Sequence, residues 1–154
     1  MLNWFNKHAD NENGSAAVEF GLILPILLLL FSGLAEYGRA YFQANAIEKG
    51  LRAATLYASR ADTPLSAADA QIAENLLKTG TADGSGTLLV SGWGKAGATH
   101  TITSTDFDMD GTAVPVIRIQ ATVPFNPMIP GLATMVGLGD FTITLQHEQP
   151  HVGI

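Results

Sequence analysis

Three groups of residues in this chain have types and spacings that can support chemistry. Glu19 lies inside a hydrophobic stretch, aspartates alternate at Asp106, Asp108 and Asp110, and residues 147–151 read His-Glu-Gln-Pro-His. These patterns suggest, in that order, an acid within a membrane, a calcium loop and a zinc peptidase. No Ser/His/Asp arrangement, phosphate-binding glycine loop or dinucleotide fingerprint accompanies them. We therefore predict a protein that is not an enzyme.

The pattern at His147, Glu148 and His151 formally matches H-E-x-x-H. That motif binds zinc when a helix places both histidines on one face, with the glutamate beside the metal-bound water. Here Pro150 falls within the required helical turn, and the preceding residues alternate as a strand does. We favour a polar C-terminal tail over a zinc peptidase.

The segment from Asp106 to Gly111 matches the first half of a calcium loop, D-x-D-x-D-G. An EF-hand loop requires a glutamate at its twelfth position, which is Ile117 here. We favour a β-hairpin in which Asp110 and Gly111 form the turn. A weak calcium site at Asp106, Asp108 and Asp110 remains the alternative, and no other cofactor is expected.

Glu19 is a single carboxylate in an otherwise apolar segment. Residues 15–35 would form a helix of about 31 Å, which matches the roughly 30 Å hydrocarbon core of a bilayer. A charge at the centre of a bilayer costs roughly 2.5–3.5 kcal/mol on insertion scales. Glu19 either reaches water at the membrane edge or has a function there. Its setting, with Gly14 before it and Phe20 after it, favours a function.

Composition limits the other function classes. The chain has 154 residues with a formal net charge of -6, which argues against a nucleic-acid partner. It has no cysteine, which excludes disulfides, thiolate metal sites and a cysteine nucleophile. A secretory signal peptide is disfavoured because residues 1–14 are polar, with Lys7 as the one firm positive charge, and the apolar run is long. The positive-inside rule, counted literally, favours a cytoplasmic C-terminus, since four basic residues follow the segment: Arg39, Lys49, Arg52 and Arg60.

Hydrophobic periodicity predicts one long helix over residues 15–60. Its first half is apolar all round, and Pro25 predicts a kink or local melting near residues 21–25. Its second half has one apolar stripe, formed by Leu34, Tyr37, Tyr41, Ala44, Ile47, Leu51, Ala54 and Ala58. A second helix is predicted to begin at the N-cap Ser66, with Asp69 in a capping box, and to end at Gly80.

Period-two alternation predicts strands at residues 87–93, 99–105, 116–125 and 141–148. Two inward faces follow from it, one formed by Ile117, Ile119, Ala121, Val123 and Phe125, the other by Phe141, Ile143 and Leu145. Residues 126–140 form a long apolar connection, either a short helix that caps the core or an exposed patch that docks a partner or the membrane surface. The predicted fold is α+β: a long N-terminal helix packed on a small antiparallel sheet, with one additional helix.

Residues 14–25, Gly-Ser-Ala-Ala-Val-Glu-Phe-Gly-Leu-Ile-Leu-Pro, resemble the N-terminal signature of TadE-like pilus assembly proteins. These are pseudopilins, or minor pilins, of tight-adherence (type IVc) pili. The resemblance continues through Glu36-Tyr37-Gly38-Arg39 and returns at residues 122–130 and in the closing strand.

The resemblance implies processing by a membrane-embedded prepilin peptidase, which would cut between Gly14 and Ser15. Glu19 would then be the fifth residue of the mature chain, followed by Phe20, in the region used for processing and assembly. The implied parts are a leader (1–14), a transmembrane segment (15–35), an amphipathic continuation (36–60) and an extracytoplasmic α+β domain (61–154).

The resemblance therefore implies a minor pilin or pseudopilin needed for pilus assembly and surface adhesion. It would be a single-pass protein of the bacterial inner membrane, and it could be incorporated into an extracellular pilus. Its partners would be the peptidase and other pilin and pseudopilin subunits. The alternative is an uncleaved, membrane-anchored binding protein with a weak calcium site at the three aspartates.

Overall fold

The computed structural model describes residues 11–152, so most of the predicted leader and the last two residues lie outside the described part. The chain folds as α+β, as predicted. In chain order, the elements are α1 (Asn11–Ala58), α2 (Ala67–Thr79), a 3-10 turn (Ser91–Gly94), β1 (Thr99–Met109), β2 (Thr112–Pro124), α3 (Pro130–Met135) and β3 (Thr142–Pro150).

The long helix α1 has 48 residues and continues unbroken through Pro25. Local melting near residues 21–25 is therefore absent, while a bend at Pro25 stays a prediction. Residues 14–31 are all exposed, and burial begins only at Gly33. The first half of α1 thus projects beyond the folded domain, and the second half is part of the domain core.

The predicted apolar stripe of α1 is correct only in its C-terminal part. Ile47, Leu51, Ala54 and Ala58 are fully buried, but Leu34, Tyr37 and Tyr41 are exposed. Glu36, Ala40 and Gln43 face the domain instead. Periodicity missed this face because it assumes that buried residues are apolar, whereas Glu36 and Gln43 are buried with hydrogen-bond partners.

The second helix begins and ends where the sequence predicted. The Ser66 hydroxyl accepts a hydrogen bond from the Asp69 backbone N–H at 3.1 Å, and Gly80 ends the helix with a φ of 75°. The Asp69 carboxylate also accepts hydrogen bonds from the hydroxyls of Ser66 and Tyr57, which lower its pKa. The Tyr57 contact joins the start of α2 to the end of α1.

The three strands form an antiparallel sheet in the order β1-β2-β3. β2 lies in the centre. Its predicted inward face is buried and consists of Ile117, Ile119, Ala121, Val123 and Phe125, the last of which directly follows the strand. Ile143 on β3 is also buried, but Phe141 lies just before β3 and is 43% exposed. Phe141 contacts the Phe125 ring edge-on instead of entering the core.

The strand predicted at residues 87–93 is wrong. This segment crosses the core as irregular chain and a 3-10 turn, with Val90 and Trp93 buried. Its backbone bonds to α2 rather than to a strand, since the Leu89 N–H donates to the Lys78 carbonyl oxygen at 2.8 Å. A Cβ at Gly92 would overlap the Pro124 carbonyl oxygen. The alternating hydrophobic pattern of residues 87–93 therefore reflects close packing at Gly92 and not pairing with a neighbouring strand.

Candidate functional site

The residues predicted for processing and assembly lie on the projecting half of α1. Gly14, Ser15, Glu19 and Phe20 are all exposed. Ser15 and Glu19 are one helical turn apart, and the Ser15 hydroxyl donates to Glu19 Oε1 at 3.4 Å. A positive charge created at Ser15 would therefore lie on the same side of the helix as the Glu19 carboxylate.

The projecting half has the length and composition of a membrane span. Among the described residues, α1 is the one helix that is long and apolar enough to cross a membrane, and its most apolar window has no residue buried in the domain. The exposed residues 14–31 cover about 27 Å at 1.5 Å per residue, close to the roughly 30 Å hydrocarbon core. A free apolar surface of this size needs a non-aqueous environment or neighbouring helices.

Directly beyond this segment, Glu36 joins α1 to the domain that contains the sheet. The backbone N–H of Ile129 donates to Glu36 Oε1 at 2.7 Å, and that of Met128 donates to Oε2 at 3.2 Å. The Glu36 side chain is 3% exposed, so these bonds replace the water that the carboxylate gives up. Hydrogen bonds to a charged acceptor are among the stronger ones in proteins.

Two further side chains of α1 bind the same stretch of backbone. Arg39 Nε and Gln43 Nε2 donate to the Asn126 carbonyl oxygen at 2.8 and 2.9 Å, and Gln43 Oε1 accepts from the Asn126 N–H at 3.2 Å. The Asn126 side chain donates to the Ser91 hydroxyl at 2.7 Å. We call Glu36, Arg39 and Gln43, with the backbone of residues 126–129, the helix–domain clamp.

The helix–domain clamp joins two segments that the sequence resemblance singled out separately, Glu36-Tyr37-Gly38-Arg39 and residues 122–130. Sequence reasoning did not predict that they meet. The available signal was the placement of Glu36, Arg39 and Gln43 at positions i, i+3 and i+7, which lie on one helix face. Chemically, the clamp is a positioning device, because its polar groups bind the backbone of residues 126–129 and so hold this segment against α1.

The acidic segment forms the favoured hairpin. Asp106 and Asp108 lie on exposed β1, and the turn is made by Asp110 with a φ of 52° and Gly111 with a φ of 84°. The Gly111 N–H donates to Asp108 Oδ1 at 2.8 Å. Within the described residues, no three His, Asp or Glu side chains are grouped closely enough to hold a metal. Calcium at Asp106, Asp108 and Asp110 stays the untested alternative.

The H-E-x-x-H pattern does not form a zinc site. His147 and Glu148 are neighbours on β3, and neighbouring residues of a strand point to opposite faces. Glu148 pairs with Arg118 across the sheet at 2.7 Å, while His151 Nε2 lies 2.8 Å from the Ala61 carbonyl oxygen. The helix that the motif requires is replaced by a strand, as Pro150 suggested.

Comparison with known proteins identifies the N-terminal part of the chain. Searches with the chain found no matching curated protein and no matching solved structure. A family model described as "TadE-like protein" matches residues 14–55. The matched segment begins at Gly14, includes Glu19 and the α1 side of the helix–domain clamp, and ends near the end of α1. The predicted resemblance is thereby confirmed for this segment: residues 14–55 are a TadE-like sequence.

Proposed function

We propose that this protein is a minor pilin or pseudopilin that contributes to the assembly of a tight-adherence pilus and to surface adhesion. The observation that carries the proposal is the projecting half of α1. Its residues 14–31 form an exposed apolar helix with Glu19 as the single carboxylate, and they lie within the TadE-like match. Its role would be structural, because a helix of this kind binds other helices or lipid and has no group that performs a reaction.

The proposal includes cleavage between Gly14 and Ser15 by a prepilin peptidase. Both residues are exposed, and a Cβ added at Gly14 would meet no other atom within 4 Å. The bond is therefore free of the folded domain and open to an enzyme embedded in the membrane. In this reaction the protein is the substrate, and the products are a leader and a chain whose first residue is Ser15.

Cleavage would give Glu19 a partner. The new amine at Ser15 would carry a positive charge one turn from the Glu19 carboxylate, on the same chain or on a neighbouring subunit. Opposite charges 4 Å apart attract by about 4 kcal/mol at an effective dielectric of 20. This is comparable to the roughly 2.5–3.5 kcal/mol that an acid costs within a bilayer. Pairing of Glu19 with the Ser15 amine would therefore offset the cost of burying the carboxylate between packed helices, and it would favour one register of those helices.

We place the outer domain on the extracytoplasmic side of the inner membrane. The TadE-like match supports this orientation, and we follow it over the count of basic residues beyond the segment. The helix–domain clamp supports a subunit in which helix and domain move together, since Glu36 and Arg39 bind the domain directly at the end of the apolar segment. A filament needs such rigidity, because each helix must position the domain that follows it.

The test is deletion of the gene in its host, followed by complementation. Loss of surface pili and of attachment to a surface, restored by the wild-type chain, is expected. A matched complementing variant is Glu48→Ala, which removes an exposed ion pair with Arg52 and should restore piliation fully. Normal piliation and attachment in the deletion strain would refute the proposal.

A further inference from the structure

The apolar connection, residues 126–140, exposes large hydrophobic side chains that do not belong to α1. Met128 and Met135 are each 68% exposed and Ile129 is 48% exposed. Asp140 at its end is the only charged residue among its 15 positions. The connection is nevertheless ordered by the fold, because α3 lies within it and Ala133 and Leu138 are buried. The sequence interpretation of a short capping helix is confirmed, but it leaves the exposed residues unexplained.

The contacts of the connection fix its position along α1. Gly33 is the first buried residue of the helix, and a Cβ placed there would lie 3.3 Å from Cγ1 of Val136. One turn further on, Glu36 binds the backbone of Met128 and Ile129. The connection is therefore the part of the domain that lies next to the projecting half of α1.

The length of the projecting half indicates how deep the connection lies relative to the bilayer. Residues 14–31 span about 27 Å, nearly the full hydrocarbon core, so a helix that crosses the bilayer leaves it close to Gly33. The connection must then lie at the boundary between acyl chains and headgroups. Exposed aromatic residues follow Gly33 on α1, at Tyr37, Tyr41 and Phe42, as is typical of a membrane–water interface.

We infer that the exposed apolar side chains of the connection insert into the lipid surface of the membrane that α1 spans. The inference rests on the proposed membrane-anchored function. Lipid is the occupant that the contacts favour, because the surface is continuous with the spanning helix and lacks charge up to Asp140. Removal of apolar surface from water is favourable. Before pilus assembly, insertion would hold the outer domain against the bilayer and would fix the tilt of that domain.

The chain offers a clean test because it has no cysteine. Single cysteines at Met135, Ile26 and Met109 are labelled with a nitroxide in the full chain, reconstituted into phospholipid vesicles. Collisions with lipid-soluble oxygen and with a water-soluble nickel complex are then compared. Met109 is the matched control, since it is also a methionine, 58% exposed, but lies at the tip of the β1–β2 hairpin. Ile26 reports the middle of the span.

We expect a ratio of oxygen to nickel collisions that is several-fold higher at Met135 and Ile26 than at Met109. A ratio at Met135 equal to that at Met109, with Ile26 in lipid, would overturn the inference and leave the membrane span intact. A probe at Met135 shielded from both reagents would also overturn it, because the patch would then be covered by protein. A water-accessible Ile26 would instead refute the membrane anchoring itself. Met128→Cys provides a second position with the same expected result.

Discussion

Oε1 of Glu36 accepts a hydrogen bond from the backbone N–H of Ile129 at 2.7 Å, across 93 residues of sequence. Glu36 follows the membrane-length segment directly, while Ile129 directly precedes α3 in the connection after β2. This contact joins the part of α1 that directly follows the membrane-length segment to the rest of the fold. In the proposed membrane-anchored protein, it also sets the position of the apolar connection relative to the bilayer.

Replacing Glu36 should therefore loosen the outer domain from the helix. Glu36→Ala leaves two backbone N–H groups without their acceptor, and we expect the free energy of unfolding to fall by about 1–3 kcal/mol. Glu36→Gln keeps one acceptor oxygen and should lose less. Denaturant unfolding of the full chain in detergent measures both. Glu48→Ala is the surface control, and a loss from Glu36→Ala no larger than from this control would contradict the clamp.

Gly50 of α1 packs closely against the backbone of α2. A Cβ there would overlap the Leu77 carbonyl oxygen of α2, so Gly50→Ala should destabilise the domain by about 1–3 kcal/mol. Gly38→Ala is the matched control on the same helix, since its added Cβ meets nothing within 4 Å. That change should stabilise α1 by about 0.5–1 kcal/mol through helix propensity. Equal effects of the two substitutions on thermal unfolding would argue against this packing of α1 on α2.

Substitutions at Gly14 should affect processing without affecting the fold. Space around Gly14 is open, so neither Gly14→Ala nor Gly14→Phe should change the stability of the domain. Co-expressed with the prepilin peptidase, Gly14→Ala should be cleaved only modestly less, while Gly14→Phe should remain intact. Gly21→Ala, also in open space, is the control and should be cleaved normally. Cleavage is measured by intact-mass spectrometry. Normal cleavage of Gly14→Phe would refute the assignment of the cleaved bond.

Glu19→Ala should separate membrane insertion from assembly. Removing the carboxylate makes the segment more apolar, so the amount of protein in the membrane fraction should be unchanged. Surface pili should be strongly reduced, because the Ser15 amine would lose its partner within the packed helices. The readout is pilin in the sheared surface fraction of cells complemented with the variant. Piliation equal to wild type would remove the role proposed for Glu19.

The calcium alternative predicts a measurable stabilisation. If Asp106, Asp108 and Asp110 bind calcium, millimolar calcium should raise the melting temperature of the full chain, and Asp108→Asn should abolish the rise. Asp108 also accepts the Gly111 N–H in the hairpin turn, so we expect no calcium-dependent shift in either protein. A shift in wild type that is lost in the variant would favour the membrane-anchored binding protein.

Much of the fold was predictable because it follows local rules. The Ser66 cap, the Gly80 stop, the alternating face of β2 and the turn at Asp110 and Gly111 each depend on residues close in sequence. The apolar run that begins near Gly14 likewise predicted a helix long and apolar enough to span a membrane.

The errors came from contacts between distant residues. Glu36 and Gln43 are buried because backbone more than 80 residues away satisfies them, which no periodicity reveals. Trp93 is buried by packing around Gly92 rather than by pairing in a strand. Tyr37 and Tyr41 are exposed for a related reason: the face of α1 that carries Glu36 and Gln43 packs against the domain, so the tyrosines lie on another face.

The most direct test of the account is mass spectrometry of the N-terminus. The protein would be purified from membranes of its native host, with the prepilin peptidase shown to be active in the same cells. The account predicts a mature chain that starts at Ser15. An intact chain that starts at Met1 would contradict processing and would favour an uncleaved, membrane-anchored binding protein.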